Sequence, residues 1–452
     1  MTDPELTVTG GAGGVDARYD DLGMLATHSS DVAAFLLSAS KESHGALADA
    51  DVLASALLNP AGVARFEAAL LAALDGPRGL TALAAGFGTQ AAALRTAVAA
   101  YRVTDEAQAE ALESLRWTIG NILGSQPLTI VPLLAALGLP IAAYQLAGGE
   151  IDWERLITDH PGIVDTIVGV APGLVNGLGI PTEDVAAAAR LLGAFYPDGT
   201  GEVVDRGLDI DPRTAQPPQG FGDLMRTLDY RNGQSQANQP DQIDVRLVQH
   251  ADGSSGYIVD IPGTKAWGPP GEFSPFLNDL GTNVHVMGGE TTARQAAIGE
   301  ALRRAGAGPD DPVMLIGHSQ GGMVAAQAAH DTGNGNFDFN VTHVVTAGSP
   351  IGMTDVPDNV QVLSLENSHD IVPHLDAADN RDRANHTTVT FDSQTGSIGN
   401  NHGTNTVYTP AADALDRSDD PSVAAYRNSA GAFFGSPGST VQTKVYELTR
   451  VP

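Results

Sequence analysis

The sequence predicts an α/β protein, with a mostly parallel sheet that has helices on both faces and is preceded by a separate all-helical region. Two observations predict this fold class. From about residue 243 onward, short apolar runs alternate with helical patterns, which is typical of a parallel sheet covered by helices. Before about residue 200, apolar residues recur at helical spacing and prolines divide the patterns. With 452 residues, the chain is long enough for more than one domain.

The amino-acid composition limits the kinds of molecule that the protein is expected to bind. The chain has 24 basic and 54 acidic residues and a net charge of -30, which argues against nucleic acids and anionic membrane surfaces as electrostatic partners. Because it has no cysteine, neither a disulfide framework nor a thiolate metal site is expected. The histidines lack the spacing of a His-Glu-x-x-His helix, and no glycine-rich phosphate loop is present. We therefore expect no metal and no cofactor.

Two features of the sequence bear on targeting. The first residues lack the basic and apolar regions of a general secretory signal peptide. The most apolar stretch, residues 127–147, contains Pro132, Gly138 and Pro140, so we expect no transmembrane segment. Export, if it occurs, would have to use a route other than the general secretory one.

The amino-terminal region, residues 1–110, is predicted to form a helical hairpin or a small bundle. Ser29-Ser30 can cap a first helix, which Asn59-Pro60-Ala61-Gly62 ends. A second helical pattern follows, breaks at Asp75-Gly76-Pro77 and continues to Tyr101. Each pattern carries one apolar stripe, and two such stripes pack against each other in an antiparallel pair.

The end of this region resembles the helical hairpins of type VII secretion substrates. Those proteins carry a Tyr-x-x-x-Asp/Glu signal just past their second helix, and Tyr101 and Asp105 match it. The resemblance implies a secreted or cell-envelope location, reached by a non-Sec route, and a helical secretion partner. The chain departs from the family at the inter-helix turn, where Asn59-Pro60-Ala61-Gly62 replaces a Trp-x-Gly. The alternative is an ordinary i, i+4 pair on a helix face, in a cytoplasmic protein.

Two further segments precede the sheet region. Residues 111–200 show helical patterns divided by prolines and have an apolar surplus, which we interpret as helical core or as a hydrophobic cover or lid over a site. Residues 201–242 are rich in Gly, Pro, Gln, Asn and Asp, and we interpret them as a linker.

The carboxy-terminal region, residues 243–452, is predicted to hold the sheet. Its apolar runs predict strands at residues 243–249, 257–261, 284–287, 313–316, 341–347, 360–365 and 387–391. Helical patterns at residues 292–305, 409–417 and 422–434 supply the cover. Because strands and helices alternate, parallel strands joined by helical crossovers are expected.

One predicted strand leads into Gly317-His318-Ser319-Gln320-Gly321, after which a helical pattern begins. A strand, a tight turn flanked by glycines and a helix are what a nucleophile elbow requires. The turn explains Gly317 and Gly321, since it leaves no room for a Cβ at either position. Ser319 is then the candidate nucleophile, and the backbone N–H of Gln320, at the start of the helix, would point toward an oxyanion. The alternative is a serine in an ordinary loop.

The elbow resembles that of serine esterases and lipases of the α/β-hydrolase superfamily, of the Gly-His-Ser-x-Gly-Gly type, and the resemblance covers about residues 243–435. In that superfamily the acid and then the histidine follow the serine in the chain. Asp370-Ile371-Val372-Pro373 resembles the Asp-x-Val-Pro of lipases, so Asp370 is the expected acid. Glu366 and Asp355 are the alternatives.

Three histidines follow Asp370. His374 is too close to it in sequence, and His386 begins the last predicted strand. His402 is left, in a loop where the family keeps its catalytic histidine. The resemblance also implies that Thr264, at the end of an earlier strand, is an oxyanion donor together with Gln320.

The predicted function is hydrolysis of carboxylic esters, acyl or lipid, through a triad of Ser319, His402 and Asp370 and an acyl-enzyme. Two alternatives stay open. The same acyl-enzyme could be captured by an alcohol, which would make the protein an acyltransferase. The chain could also be an exported interaction protein whose helical hairpin pairs with a partner.

Overall fold

The predicted fold class is confirmed. The computed structural model describes residues 4–125, 158–159, 161–235, 237 and 239–452. The chain divides into two units, one of residues 16–111 and one that combines the residues up to Val15 with residues 112–452. The first unit is helical, and the second is built on a nine-stranded sheet with helices on both faces.

The helical region consists of α1 (Val15–His44), α2 (Ala50–Ser55), α3 (Pro60–Asp75) and α4 (Leu80–Ser125). Asn59 caps α3, because its side chain accepts a hydrogen bond from the N–H of Gly62 at 3.0 Å. The predicted cap at Ser29-Ser30 was wrong, since both residues lie inside α1. The hydroxyl of Ser30 accepts a hydrogen bond from Arg95 at 3.0 Å, and a serine inside a helix costs little.

The sheet runs in the order β1-β8-β7-β6-β5-β4-β3-β9-β2. The strands β4 to β8 are parallel, and the remaining pairs are antiparallel. Parallel strands bring their carboxyl ends to one edge of the sheet, where the loops that follow them meet. The strands are β1 (Leu6–Gly10), β2 (Thr200–Leu208), β3 (Asp241–Gln249), β4 (Ser255–Ile261), β5 (Pro312–His318), β6 (Asn340–Ala347), β7 (Gln361–Asn367), β8 (His386–Phe391) and β9 (Thr440–Val451).

Two apolar layers cover the sheet. Alternate residues of β5 face opposite sides. Val313 and Leu315 pack in the layer of the helices Ala293–Ala305 and Gln320–Asn334. Met314 and Ile316 pack in the layer of the helices Phe221–Gln234, Thr409–Leu415 and Pro421–Ser429. The sheet is therefore buried on both faces. The helices of this unit are α5 (Gly162–Gly177), α6 (Val185–Gly193), α7 (Phe221–Gln234), α8 (Leu280–Met287), α9 (Ala293–Ala305), α10 (Gln320–Asn334), α11 (Ile398–Asn401), α12 (Thr409–Leu415) and α13 (Pro421–Ser429).

The segment 201–242 is not a linker, contrary to our interpretation. It contains β2, an edge strand paired with β9, and α7, whose residues Phe221, Leu224 and Leu228 are fully buried. The edge strand gave no apolar alternation because Val203 is its only buried residue. The helix was missed because its four apolar residues stand among Gly, Asp, Arg and Asn, whose composition indicates a loop.

Three other elements differ from the prediction. Residues 6–10, inside the predicted hairpin region, form β1 and pair with β8. Residues 284–287 belong to α8 and are not a strand, because Asp279 accepts a hydrogen bond from the N–H of Thr282 at 3.0 Å and starts a helix there. The twelve-residue strand β9 was not predicted, since its apolar residues are irregularly spaced among Thr, Gln, Lys, Glu and Arg and do not alternate strictly.

Residues 111–200, which were predicted to form a hydrophobic cover, are only partly included in the described residues. Their described portion includes α5 and α6, which are helical as expected. Residues 126–157, with most of the apolar surplus, lie outside the described residues. Among the described residues, no helix is both long enough and apolar enough to cross a membrane.

We predict that trypsin does not cut the folded protein after Arg231, in α7. Arg231 is 3 % exposed and is held by Asp209 and Asp244, each at 2.7 Å, so cleavage after it needs unfolding of α7. Arg78 lies exposed in the turn between α3 and α4 and serves as the internal reference. Mass spectrometry of a time course should find the first cut after Arg78, and a faster cut after Arg231 would contradict the fold of this segment.

Candidate active site

Ser319 stands at the turn from β5 to α10 in a strained backbone conformation, with φ 57° and ψ -124°. Ser319 and Ala377 are the non-glycine residues with positive φ in the described part of the chain. A Cβ on Gly317 would lie 2.1 Å from the carbonyl carbon of Gly321, and one on Gly321 would lie 2.0 Å from the oxygen of Ile261. Only glycine fits at these positions, so the pattern Gly-x-Ser-x-Gly is a packing requirement of the elbow.

Backbone bonds fix Ser319 at the carboxyl edge of the parallel strands. Its N–H donates to the oxygen of Ala347, at the end of β6, over 3.0 Å. Its own carbonyl accepts from the N–H of Gly322 at 3.1 Å. The N–H groups of Gln320 and Gly321, in the first turn of α10, have no acceptor within the helix and lie at its positive end. They are suited to a negatively charged oxygen beside Ser319.

Asp370 and His402 are in direct contact. The ring Nδ1 of His402 donates to Oδ2 of Asp370 at 2.6 Å, and the carboxylate is fully buried. The other oxygen of Asp370 accepts from the N–H of Val372 at 3.0 Å. Of the two alternative acids, Glu366 accepts from Asn380 at 2.6 Å, and Asp355 forms an exposed ion pair with Arg383 at 2.7 Å. Burial raises the pKa of Glu366 to about 7, so it would be a poor permanent anion.

Tyr408 is part of the site and was not predicted. Its hydroxyl donates to the same oxygen of Asp370 that His402 uses, at 2.6 Å. Burial, followed by the charge of Asp370, raises the pKa of Tyr408 well above 10, so the hydroxyl stays protonated and remains a donor. In the sequence, Tyr408 was one apolar residue at the start of a helical pattern, and no local signal marked it.

Two asparagines tie the loops of Asp370 and His402 to each other. The amide of Asn367 donates to the carbonyl of Asn401 at 2.9 Å. The amide of Asn401 donates back to the carbonyl of His369 at 3.1 Å. Both asparagines are at most 1 % exposed, so the two loops move as one piece.

His318 lies against His402. The ring centroids are 4.3 Å apart, and Nε2 of His318 donates to the carbonyl oxygen of His402 at 2.8 Å. Burial, and then the charge of His402, lowers the pKa of His318 well below 6.5. The ring is therefore neutral at neutral pH, and a positive charge that forms on His402 meets no cation in this neighbour.

Gly348 fills the space between the site residues. It has φ 59°, and a Cβ there would lie 2.7 Å from Oδ2 of Asp370, 2.7 Å from the hydroxyl of Tyr408 and 2.9 Å from Nδ1 of His402. Gly348 directly follows Ala347, which binds the N–H of Ser319. Ser319, Asp370 and His402 thus converge around the end of β6.

The predicted oxyanion donors lie near Ser319 with their side chains engaged elsewhere. The hydroxyl of Thr264 is bonded to the amide of Asn283, 2.9 Å away. The side chain of Gln320 is buried and bonded to Arg294 and to the carbonyl of Asp279. Only backbone N–H groups remain as donors at these positions. A Cβ on Gly263 would lie 3.1 Å from that of Ser319, so the backbone before Thr264 passes directly beside the serine.

The loop that carries Asp370 is also fastened to residues 158–177. Nδ1 of His369 donates to the carbonyl of Thr158 at 2.9 Å. Nδ1 of His374 lies 2.8 Å from a carboxylate oxygen of Asp165 in α5. His374, which the sequence analysis rejected as the base, therefore joins this loop to α5, a helix of the predicted cover.

A cavity of about 250 Å³ lies between α6, α8, α10 and the loop after β6. Its lining includes Met287, Met323 and Met353, three of the seven methionines of the chain. Met323 lies in the first turn of α10, which starts directly after Ser319. Arg190 and Asp355 also line the cavity and are exposed to solvent.

The residues of the predicted secretion motif belong to the other unit. Tyr101 and Asp105 fall within the bounds of α4, not past its end as predicted. Their side chains lie outside the described part of the structure.

The buried parallel sheet, the elbow after β5 and the helices on both faces define an α/β-hydrolase-like protein. Residues 271–418 match the family model of the PGAP1-like alpha/beta domain, a hydrolase-like family. The match covers about a third of the chain and includes Ser319, Asp370 and His402, but not Thr264. No curated protein and no solved structure matches the chain.

We predict that Gly348→Ala disables the site without unfolding the protein. The added methyl group cannot fit among Asp370, Tyr408 and His402, so the imidazole must move, and misplacement of a catalytic group costs about 10²-fold. The control is Gly335→Ala, which has φ 73° and nothing within 4 Å of its Cβ. Both variants carry the backbone strain of an alanine at positive φ. Only Gly348→Ala should lose turnover in an esterase assay, and equal turnover of the two would contradict the assigned site.

Proposed function

We propose that the protein is a serine hydrolase that cleaves carboxylic esters of apolar acyl groups. The observation that supports this best is the 2.6 Å contact between His402 and the buried Asp370, at the sheet edge where Ser319 adopts positive φ. A histidine held by a buried acid on the same sheet edge as a half-buried serine is the arrangement that activates a weak nucleophile. The match to a hydrolase-like domain over residues 271–418 supports the same reaction class.

In this mechanism, Oγ of Ser319 attacks the ester carbonyl carbon while Nε2 of His402 takes its proton. The negative charge that forms on the carbonyl oxygen is bound by backbone N–H groups at the start of α10 and beside Ser319 at Gly263-Thr264. His402 then gives its proton to the departing alcohol, and the acyl group stays on Ser319. Water, with its proton taken by His402, releases the acid in a second, equivalent step.

The neighbours of His402 favour the charged intermediate of this cycle. Asp370 accepts from Nδ1 and stabilises the imidazolium, while the bond fixes the tautomer that leaves Nε2 free to accept a proton. Tyr408 stays a donor to Asp370 and holds the carboxylate in place. Because His318 is neutral, it adds no repulsion.

The methionines of the cavity between α6, α8 and α10 offer contacts for an apolar acyl group, beside polar residues of the same lining. Methionine side chains are flexible and adapt to a chain of varying conformation. The same acyl-enzyme would serve an acyltransferase, and the two reactions differ only in whether water or an alcohol accepts the acyl group. An assay with and without added alcohol, in which product esters are measured, separates them.

We predict that Ser319→Ala abolishes hydrolysis of a short p-nitrophenyl ester while the melting temperature stays near that of the wild type. The removed hydroxyl stands at the elbow and contributes nothing to the core. A fluorophosphonate should label the wild type at Ser319, as mapped by peptide mass spectrometry, and should not label the variant. Ser368→Ala, an exposed serine close to Asp370 in sequence, is the matched control and should keep both properties. Labelling at another serine would refute the assigned nucleophile.

A second candidate function is that of an exported protein whose helical unit binds a helical partner. The observation in its favour is the apolar surface of that unit, where Phe35 is 71 % exposed, Leu57 89 % and Leu58 91 %. Exposed apolar clusters of this kind mark interaction surfaces.

If Tyr101 and Asp105 form an export signal, Tyr101→Ala and Asp105→Ala should each remove the protein from the culture supernatant of its native host. Esterase activity in the lysate is the control and should stay at the wild-type level, because the triad lies in the other unit. Should both variants be found outside the cell as abundantly as the wild type, Tyr101 and Asp105 are a pair on a helix face and not a signal.

A further inference from the structure

Arg294, on α9, is among the most deeply buried charged residues of the described chain, with no exposed surface. Its guanidinium makes four hydrogen bonds. Nε and Nη2 donate to the two oxygens of Asp241, at 2.7 and 3.0 Å, in a bidentate pair. Asp241 begins β3 and is itself fully buried. The carboxylate of Asp241 therefore balances the positive charge of Arg294 inside the protein.

The other two bonds go to the two segments that flank Ser319. Nη1 of Arg294 donates to Oε1 of Gln320 at 2.7 Å. Nη2 donates to the carbonyl oxygen of Pro262 at 2.9 Å. One segment starts α10 immediately after the serine, and the other passes beside the serine from the end of β4. Arg294 is therefore a direct bridge between two backbone segments that are far apart in sequence.

Both bonds orient backbone N–H groups. In a trans peptide the carbonyl and the following N–H point in opposite directions, and no cis peptide bond occurs in the described residues. Holding the oxygen of Pro262 toward Arg294 therefore turns the N–H of Gly263 away from it. Gln320 is held at both ends, since its Nε2 also donates to the carbonyl of Asp279 at 2.6 Å. Because both ends of its side-chain amide are bonded, Gln320 is fixed, and the backbone N–H of Gln320 in the first turn of α10 keeps one orientation.

We propose that Arg294 is a positioning residue, which holds Pro262-Gly263-Thr264 and Gln320 at the separation that an oxyanion on the substrate requires. This inference rests on the proposed function. Arg294 does not touch the substrate. It acts through the two backbone segments, and because Arg294 has no exposed surface its bonds are shielded from bulk water.

A lysine at position 294 cannot make the same set of hydrogen bonds. The planar guanidinium reaches Asp241, Gln320 and Pro262 in one fixed fork, whereas an ammonium on a flexible stem is a single point charge. Arg294→Lys keeps the charge against Asp241 and loses the bridge. Gln320→Met removes the bridge from the other side, keeps the backbone N–H and has a similar shape.

The experiment measures kcat, KM and inhibition by an aryl trifluoromethyl ketone, which forms a tetrahedral oxyanion adduct with a serine, for wild type, Arg294→Lys, Gln320→Met and the double variant. We expect each single variant to lower kcat about 10- to 100-fold, less than the loss of a whole oxyanion donor, with KM near the wild-type value. Affinity for the ketone should fall in proportion to kcat/KM. The double variant should be no worse than either single one, because both break the same bridge.

Arg231→Lys is the matched control. Arg231 is 3 % exposed and pairs with Asp209 and Asp244, so the change also disturbs a buried ion pair. It should lower the melting temperature and leave kcat per folded molecule unchanged, with folded protein quantified by circular dichroism.

Three outcomes would overturn the inference. If Arg294→Lys and Gln320→Met lower stability but keep kcat and ketone affinity per folded molecule, the residue has a structural role only. If the two losses multiply in the double variant, they act separately. If the wild type neither hydrolyses esters nor reacts with a fluorophosphonate, the proposed function fails and the role of Arg294 falls with it. An active wild type with unaffected variants rejects the role of Arg294 alone.

Discussion

The backbone conformation of Ser319 is the constraint on which the carboxyl edge of the parallel strands depends. A non-glycine residue at φ 57° is disfavoured, and it persists only where the surrounding structure over-determines it. Here the determinants can be named. Gly317 and Gly321 have no room for a Cβ, the N–H of Ser319 is bonded to β6, and the residue that follows it is bonded to a buried arginine. The conformation of Ser319 persists because these contacts fix the buried structure around it.

The parallel sheet explains why residues distant in sequence meet at this serine. Each of β4, β5, β6 and β7 ends at the same edge, and each contributes to the site from the residues that follow it. Gly263 comes after β4, Ser319 after β5, Gly348 after β6 and Asp370 after β7. Loops at this edge tolerate functional residues because the strands beneath them are buried on both faces.

Sequence patterns identify the elements whose signals are local. The central strands are continuous apolar runs, and the glycines of the elbow stand two residues from Ser319, so both could be predicted. Asp370 and His402 were chosen by resemblance and chain order, and the 2.6 Å contact between them is information that only coordinates hold. Tyr408 and Arg294 had no local signal, because what defines them is a partner far along the chain. The edge strands β1 and β2 were missed because an edge exposes one side and carries few apolar residues. The strand β9 lies between β3 and β2, and it was missed because its apolar residues do not alternate strictly.

The pairing of β1 with β8 has a consequence for how the protein is made. The strand at residues 6–10 is made well before its partner, residues 387–391, because the helical unit and most strands of the sheet lie between them in the chain. During that interval its backbone N–H and C=O groups have no sheet to join, and the helical unit is completed in between. The ladder between them is therefore a late event in folding, with the long loop closure that slows such pairings. Until it closes, β8 presents an open edge, so the newly made chain passes through a stage in which pairing with another molecule competes with pairing within its own.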